Sequence, residues 1–167
     1  EGRVRVRPLL SYRRHEDDFI LIREDPSVYR NQHTSSQAGG EVSAEWQPSG
    51  AAVLSFGAEG YLDWLESNSL GDRSQTRVAG FMEGTWGNAD GRSLRLGLRG
   101  DWFETFGAVL SPSVAGSVAV GRMTRLRGSV GRSFRAPTWT ERYYEDPANI
   151  GNPDLEPESA WTYEAGV

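Results

Sequence analysis

The sequence predicts an all-β fold, an antiparallel up-and-down meander of about eight strands that forms part of a larger transmembrane β-barrel. Three observations predict it. Apolar residues recur at every second position, tight and long connections alternate along the chain, and tryptophans fall near strand ends. A tilted strand of about ten residues crosses a bilayer, whereas globular strands are about half that length.

Strand one, at 2–15, sets Val4, Val6, Leu10 and Tyr12 against Arg3, Arg5, Arg7, Ser11, Arg13 and His15. Strand two, at 37–47, sets Val42, Ala44 and Trp46 against Glu41, Ser43, Glu45 and Gln47. Strand three, at 50–65, sets Leu54, Phe56, Ala58, Leu62 and Trp64 against Ser55, Gly57, Glu59 and Asp63. Strand four, at 75–87, is ambiguous, because Val78, Met82 and Trp86 face one way while Ala79, Phe81 and Glu83 face the other. Strand five, at 91–103, sets Leu94, Leu96, Leu98 and Trp102 against Ser93, Arg95, Arg99 and Asp101. Strand six, at 112–121, opposes Val114, Val118 and Val120 to Ser113, Ala115 and Ser117, a weaker contrast. Strand seven, at 124–135, opposes Leu126, Val130 and Phe134 to Arg125, Arg127, Ser129 and Ser133, with Arg132 intruding on the apolar side. Strand eight, at 158–167, opposes Trp161, Tyr163, Ala165 and Val167 to Thr162 and Glu164.

The expected tight connections are Pro48-Ser49, Asn88-Ala89-Asp90 and Arg122-Met123, and the long ones are 16–36, 66–74, 104–111 and 136–157. Short turns at one end and long loops at the other are the layout of an outer-membrane barrel. Glycines within strands, such as Gly57, Gly97 and Gly128, suit a closely packed, curved wall. A soluble β-sandwich also alternates, but its strands are shorter and its connections need not alternate in length.

Composition narrows the function. The 167 residues carry 18 basic side chains, all arginine, against 23 acids, a net charge of −5 that argues against a nucleic-acid partner. Without cysteine there is no disulfide framework or thiolate chemistry, and His15 and His33 alone offer little to a metal centre or a Ser/His/Asp triad. No enzyme activity, catalytic residue, cofactor or metal is expected. No run approaches 18 apolar residues, so a transmembrane helix is excluded. The 37% apolar share is low for a globular core but suits a wall with one face in lipid and the other in water. The chain starts at Glu1 without Met and ends on what reads as mid-strand, so a piece of a longer protein is expected.

The densest motif is Ser133-Phe134-Arg135-Ala136-Pro137-Thr138 with Glu141 and Tyr143-Tyr144. It continues through Gly151-Asn152-Pro153-Asp154-Leu155-Glu156-Pro157-Glu158 to Trp161, Tyr163-Glu164 and Gly166-Val167. Four of the eight prolines lie in this stretch, fixing φ and stiffening the loop, and Asn152-Pro153-Asp154 initiates a turn. Arg135 and Arg142 lie within reach of Glu156 or Glu158 if the loop folds back, a fork-to-carboxylate clamp. The favoured role for Phe134, Arg135, Ala136, Pro137, Gly151, Asn152, Pro153, Asp154, Leu155, Pro157, Glu158, Tyr163 and Glu164 is structural, locking one loop between two strands.

That motif closely resembles the one running through the barrel domain of TonB-dependent outer-membrane receptors, where a Phe-Arg-Ala-Pro strand end precedes a Gly-Asn-Pro-x-Leu-x-Pro-Glu loop. Shorter stretches, among them Tyr12-Arg13-Arg14, Ser69-Leu70-Gly71-Asp72 and Gly97–Trp102, resemble the vitamin B12 and siderophore receptor branch. The resemblance implies a bacterial outer-membrane location and TonB-energised uptake of a scarce nutrient chelate. It implies a barrel of about 22 strands around a plug, of which 1–167 is a part. The plug, the TonB-contacting N-terminal region and the C-terminal strands are expected outside the chain. The implied partners are the lipid bilayer, TonB and a small nutrient chelate. It also places the short turns in the periplasm and the long loops outside the cell.

The carboxylates of Glu16-Asp17-Asp18 and Glu24-Asp25 suggest calcium, but their spacing matches no calcium loop and they read as a solvated acidic loop, with His33 a polar loop residue. The arginines Arg3, Arg5, Arg7, Arg95, Arg99, Arg125 and Arg127 oppose Glu41, Glu45, Glu59 and Asp101 as a lumen-facing ladder. The alternative architecture is a self-contained eight-stranded barrel with an adhesin or structural role. It requires strands one and eight to pair, whereas a section of a larger barrel leaves both edges open.

Overall fold

The computed structural model describes residues 3–88 and 91–167. Gly2 of the first expected strand, and Ala89 and Asp90 of the second tight connection, lie outside the described residues.

Alternation every second residue produces strands because one pleated face is apolar and the other polar. The strands are β1 (Arg3–Ile20), β2 (Arg30–Ser49), β3 (Ala52–Ser67), β4 (Arg73–Gly87), β5 (Ser93–Phe103), β6 (Gly107–Val120), β7 (Thr124–Arg135) and β8 (Glu158–Gly166), with a five-residue helix α1 (Trp139–Tyr143) before β8. They form one antiparallel sheet in the order β1-β2-β3-β4-β5-β6-β7-β8. Among the described residues β1 and β8 do not pair with each other, so the self-contained closed barrel is overturned.

Register resolves the ambiguity of β4. Met82 stands opposite Phe56 and Leu98, so the even positions of β4 join the apolar face. Phe81 lies opposite Gly57 on the polar face, where a side chain on Gly57 would come within 2.6 Å of the ring. On the apolar face Trp46 lies opposite Leu54, and Trp64 opposite Ser36, so ten residues of β3 separate the two tryptophan levels. At about 3.3 Å per residue and a tilt near 40°, that is an apolar band of about 25 Å, the height of an outer-membrane barrel's lipid belt. Large apolar side chains on this face remain exposed, among them Val6, Phe56, Met82, Leu98 and Tyr163. The polar face holds most of the buried strand residues, including Asp101 at 5% and Phe103 at 6% exposure.

Three expectations are corrected. The strict alternation of short and long connections fails, because 104–106 is as short as 121–123. The long loops shrink because the strands run past the apolar alternation: β1 reaches Ile20, β2 starts at Arg30 and β6 at Gly107. Backbone ladders need no apolar side chain, so pairing continues into polar sequence. For the same reason Glu16, Asp17 and Asp18 are strand residues, and His33 sits in β2, sharing a 2.8 Å hydrogen bond with Ser67. Third, 136–157 contains α1 rather than loop alone; the signal was Thr138-x-x-Glu141, a capping box whose two reciprocal bonds are both made.

Candidate functional site

The polar face carries cross-strand ion pairs. Arg99 on β5 reaches across β4 to Glu59 on β3 and bonds Asp101 at 2.7 Å. The reach is possible because Ala79, opposite both Glu59 and Asp101, is small. Arg77 meets Asp63 at 3.5 Å, Arg95 meets Glu83 at 3.6 Å and Arg5 meets Glu45 at 4.0 Å. Of the expected ladder, among the described residues Glu41 pairs with no arginine, and Arg3, Arg7, Arg125 and Arg127 pair with no carboxylate. The more exposed of these pairs, Arg95–Glu83 and Arg5–Glu45, each contribute about 0–1 kcal/mol, so they orient the wall more than they stabilise it.

Segment 136–157 folds back across this face. Its opening residues Ala136, Pro137, Thr138 and Trp139 cover a cavity of about 410 Å³, whose floor includes Arg13, Gln37, Asp63 and Arg77. Gln37 donates to Asp63 at 2.6 Å, and the Arg77 guanidinium lies 4.4 Å from the centre of the Tyr61 ring. Tyr61 lies flat on Gly39, where a Cβ would come within 2.4 Å of its ring. Two other contacts tie the segment to β4 and to the connection between β1 and β2. Arg73 stacks 4.0 Å over Tyr143, and the hydroxyls of Tyr29 and Tyr144 share a 2.5 Å hydrogen bond.

The motif residues supply the internal bonds of the fold-back. Arg135, ending β7, donates from Nη1 and Nη2 to Glu141 at 2.9 Å and pairs with Glu158, opening β8, at 3.1 Å. Arg135 is thus the one of the two candidate arginines that reaches Glu158. Arg142 does not: it is 8% exposed and donates from Nε (3.1 Å) and Nη2 (3.0 Å) to the Pro153 carbonyl. Glu156 makes no ion pair among the described residues. The Gly151 N–H donates to the Tyr144 carbonyl at 2.8 Å, and the Asn152 N–H to the Glu141 backbone carbonyl at 3.0 Å. A Cβ on Gly151 would fall 2.7 Å from the Tyr143 nitrogen, which is why glycine stands there. The Asn152 side chain accepts from the Asp154 N–H at 3.0 Å, and Leu155 N–H closes the turn on the Asn152 carbonyl. Phe134 packs edge-on against Phe103 at 5.9 Å, Ser129 donates to Glu164 at 3.3 Å, and Tyr163 stands on the apolar face opposite Val130.

Electrostatics agree with this network. Glu141 is held down to about 2 from its ordinary 4.5, first by Arg135 and then by the bonds from Thr138. The Tyr144 phenol is pushed up to about 12, chiefly by its bond with Tyr29. Around Tyr143, Arg73 and Arg142 (5.0 Å from the ring centre) present two guanidinium groups, neither paired with a carboxylate among the described residues. Sequence reasoning missed Arg73 and Arg77 as members of the site, because nothing local links them to the motif. The acidic candidates do not converge: Glu16 pairs with Arg14, Asp18 with Arg30, and Asp25 caps Ser27.

Comparison with known proteins adds three findings. The TonB dependent receptor-like β-barrel family matches residues 7–167. The iron-regulated outer membrane virulence protein of Vibrio cholerae serotype O1 is 37% identical over 125 residues, in both the Classical Ogawa and the El Tor Inaba strain. The match covers 68% of this chain and 19% of the relative, so the chain spans about a fifth of the length of the curated relatives it matches. The crystal structure of the siderophore receptor PirA from Pseudomonas aeruginosa superposes with a TM-score of 0.66 at 19% identity, covering 98% of this chain and 36% of that one. PirA from Acinetobacter baumannii gives 0.65 at 20%, covering 83% and 25%.

Proposed function

The chain belongs to the TonB-dependent receptor β-barrel family, and from that premise we propose that the complete protein imports a ferric siderophore across the bacterial outer membrane with energy relayed by TonB. Outer-membrane placement follows from the family and from the apolar belt between two tryptophan levels. The observation that carries the substrate reading is the Arg73 guanidinium stacked on Tyr143, without a carboxylate partner among the described residues, where segment 136–157 covers the polar face. An anionic chelate with aromatic or hydroxamate groups fits such a surface through charge-assisted hydrogen bonds and stacking. The names of the relatives favour iron over vitamin B12, the other nutrient that the motifs imply.

In this reading the long loops face outward, and Arg135, Glu141, Glu158, Gly151 and Arg142 hold the inturned segment in place rather than touch the ligand. The polar face meets the plug and the ligand path. The test is uptake of radio-iron as ferric siderophores by cells whose only receptor is the intact protein, with and without TonB. Accumulation that requires both TonB and Arg73 is expected. Uptake of cyanocobalamin alone, or none without regard to TonB, would overturn the reading.

A further inference from the structure

The wall is not continuous between β6 and β7. Their ladder runs from Val120/Thr124 only as far as Ser113/Gly131. Beyond it, Gly107–Pro112 pairs with β5 alone and Arg132–Arg135 with β8 alone, so the two strands fork. Pro112, with no N–H to donate, stands where the ladder stops. The fork opens on a cavity of about 710 Å³, lined by Leu110, Phe134, Arg132, Arg142 and the loop residues Asp154 and Glu156 among others.

Arg132 makes this opening unusual. Across β4 to β8 it is the single charged side chain at an apolar-face position among the described residues, and it stands directly opposite Trp161. Trp102 on β5 and Trp161 on β8 continue the tryptophan level begun by Trp64, stepping with the strand tilt, so Arg132 lies at the aromatic girdle where headgroups meet acyl chains. One of its donors, Nη1, bonds the Leu110 carbonyl at 2.9 Å and bridges the fork. Among the described residues no carboxylate lies within 4.0 Å of it, and the buried Arg142 behind it is also without an ionic partner. Asp154 and Glu156 line the loop side of the cavity and neutralise neither arginine. A charged group at a lipid-facing position is costly unless it is paired, which marks it as a site.

We propose that the fork is a lipid site, in which Arg132 binds the phosphate of an outer-leaflet lipid headgroup while the acyl chains lie along Leu110, Pro112 and Val130 beside Trp161. Four guanidinium N–H groups remain for the phosphate after the Leu110 bond, and the apolar face supplies the surface for the chains. The outer-leaflet assignment rests on the orientation given above; the binding chemistry does not rest on the transported substrate.

The intact receptor in detergent is titrated with phosphatidic acid, with diacylglycerol of the same chains, and with inorganic phosphate, binding being read by native mass spectrometry. Phosphatidic acid is expected to bind about tenfold more tightly than diacylglycerol, the weight of one charge-assisted contact. Arg132→Leu is expected to erase that difference and Arg132→Lys to keep most of it, at unchanged thermal unfolding temperature for Arg132→Lys. Equal binding of the two lipids, or unaltered preference in Arg132→Leu, overturns the proposal. Displacement of the lipid by millimolar inorganic phosphate also overturns it, in favour of a free-anion site. Siderophore uptake is scored separately on the same variants, so loss of one reading is distinguishable from loss of the other.

Discussion

The guanidinium of Arg142 donates from Nε at 3.1 Å and from Nη2 at 3.0 Å to a single acceptor, the carbonyl of Pro153, binding the short helix to the returning loop. The buried arginine thus holds the loop after α1 through a backbone carbonyl, beside the carboxylate clamp that Arg135 makes with Glu141 and Glu158.

Arg142→Lys leaves one point donor where a planar fork sat, and the expected loss is about 1.5–3 kcal/mol of local stability. Hydrogen exchange of the 151–155 amides in the intact receptor checks this. Protection unchanged from the parent protein would show that the fork geometry is immaterial.

Gly151→Ala puts a methyl group 2.7 Å from the Tyr143 nitrogen and 2.8 Å from the Arg142 carbonyl carbon. Backbone cannot yield as a side-chain tip can, so a cost of about 1–3 kcal/mol and release of the loop are expected. Faster protease cleavage between 144 and 157, with the strands intact, is the readout.

Acid loosens the same segment in a defined window. The Glu141 carboxyl has its folded value depressed from 4.5 to about 2, so its contribution is present above 4.5 and is lost as pH falls through about 2. Protection factors of the α1 amides, corrected for the intrinsic pH dependence of exchange, are therefore expected to stay flat down to about 4.5 and to fall below it. In Glu141→Gln that pH dependence disappears; a parent protein already flat to pH 2 would contradict the clamp.

Val42 lies midway between the two tryptophan levels on the apolar face and is exposed, while Ser43 beside it faces the other way. Val42→Arg is expected to destabilise the intact barrel in lipid vesicles by about 2–4 kcal/mol, and Ser43→Arg by far less. Urea unfolding measures both. Equal costs would mean that the lipid face has been assigned to the wrong side.

Much of the wall was legible because strand faces repeat every second residue. Val4, Val6, Leu54, Phe56, Leu96 and Leu98 declare one face without any knowledge of their neighbours. Strand ends were less legible, since β1 continues through Glu16, Asp17 and Asp18 on hydrogen bonds that side-chain polarity does not report. In the fold-back, Arg135 with Glu158 is legible because both flank one loop, and Thr138 with Glu141 because a capping box spans only four residues. Arg73 on Tyr143, and Tyr29 with Tyr144 at 115 positions' separation, left no local trace.

The sequence by itself therefore determined the alternating faces, the turn chemistry of Asn152-Pro153-Asp154 and the family, all of which depend on residues close together in the chain. Only the tertiary structure decided which way β4 faces, that β6 and β7 part at Ser113 and Gly131, and that segment 136–157 turns inward over the polar face. Those features depend on register and on contacts between distant strands. Such pairings are selected by how well whole faces fit, so no short window of sequence contains them.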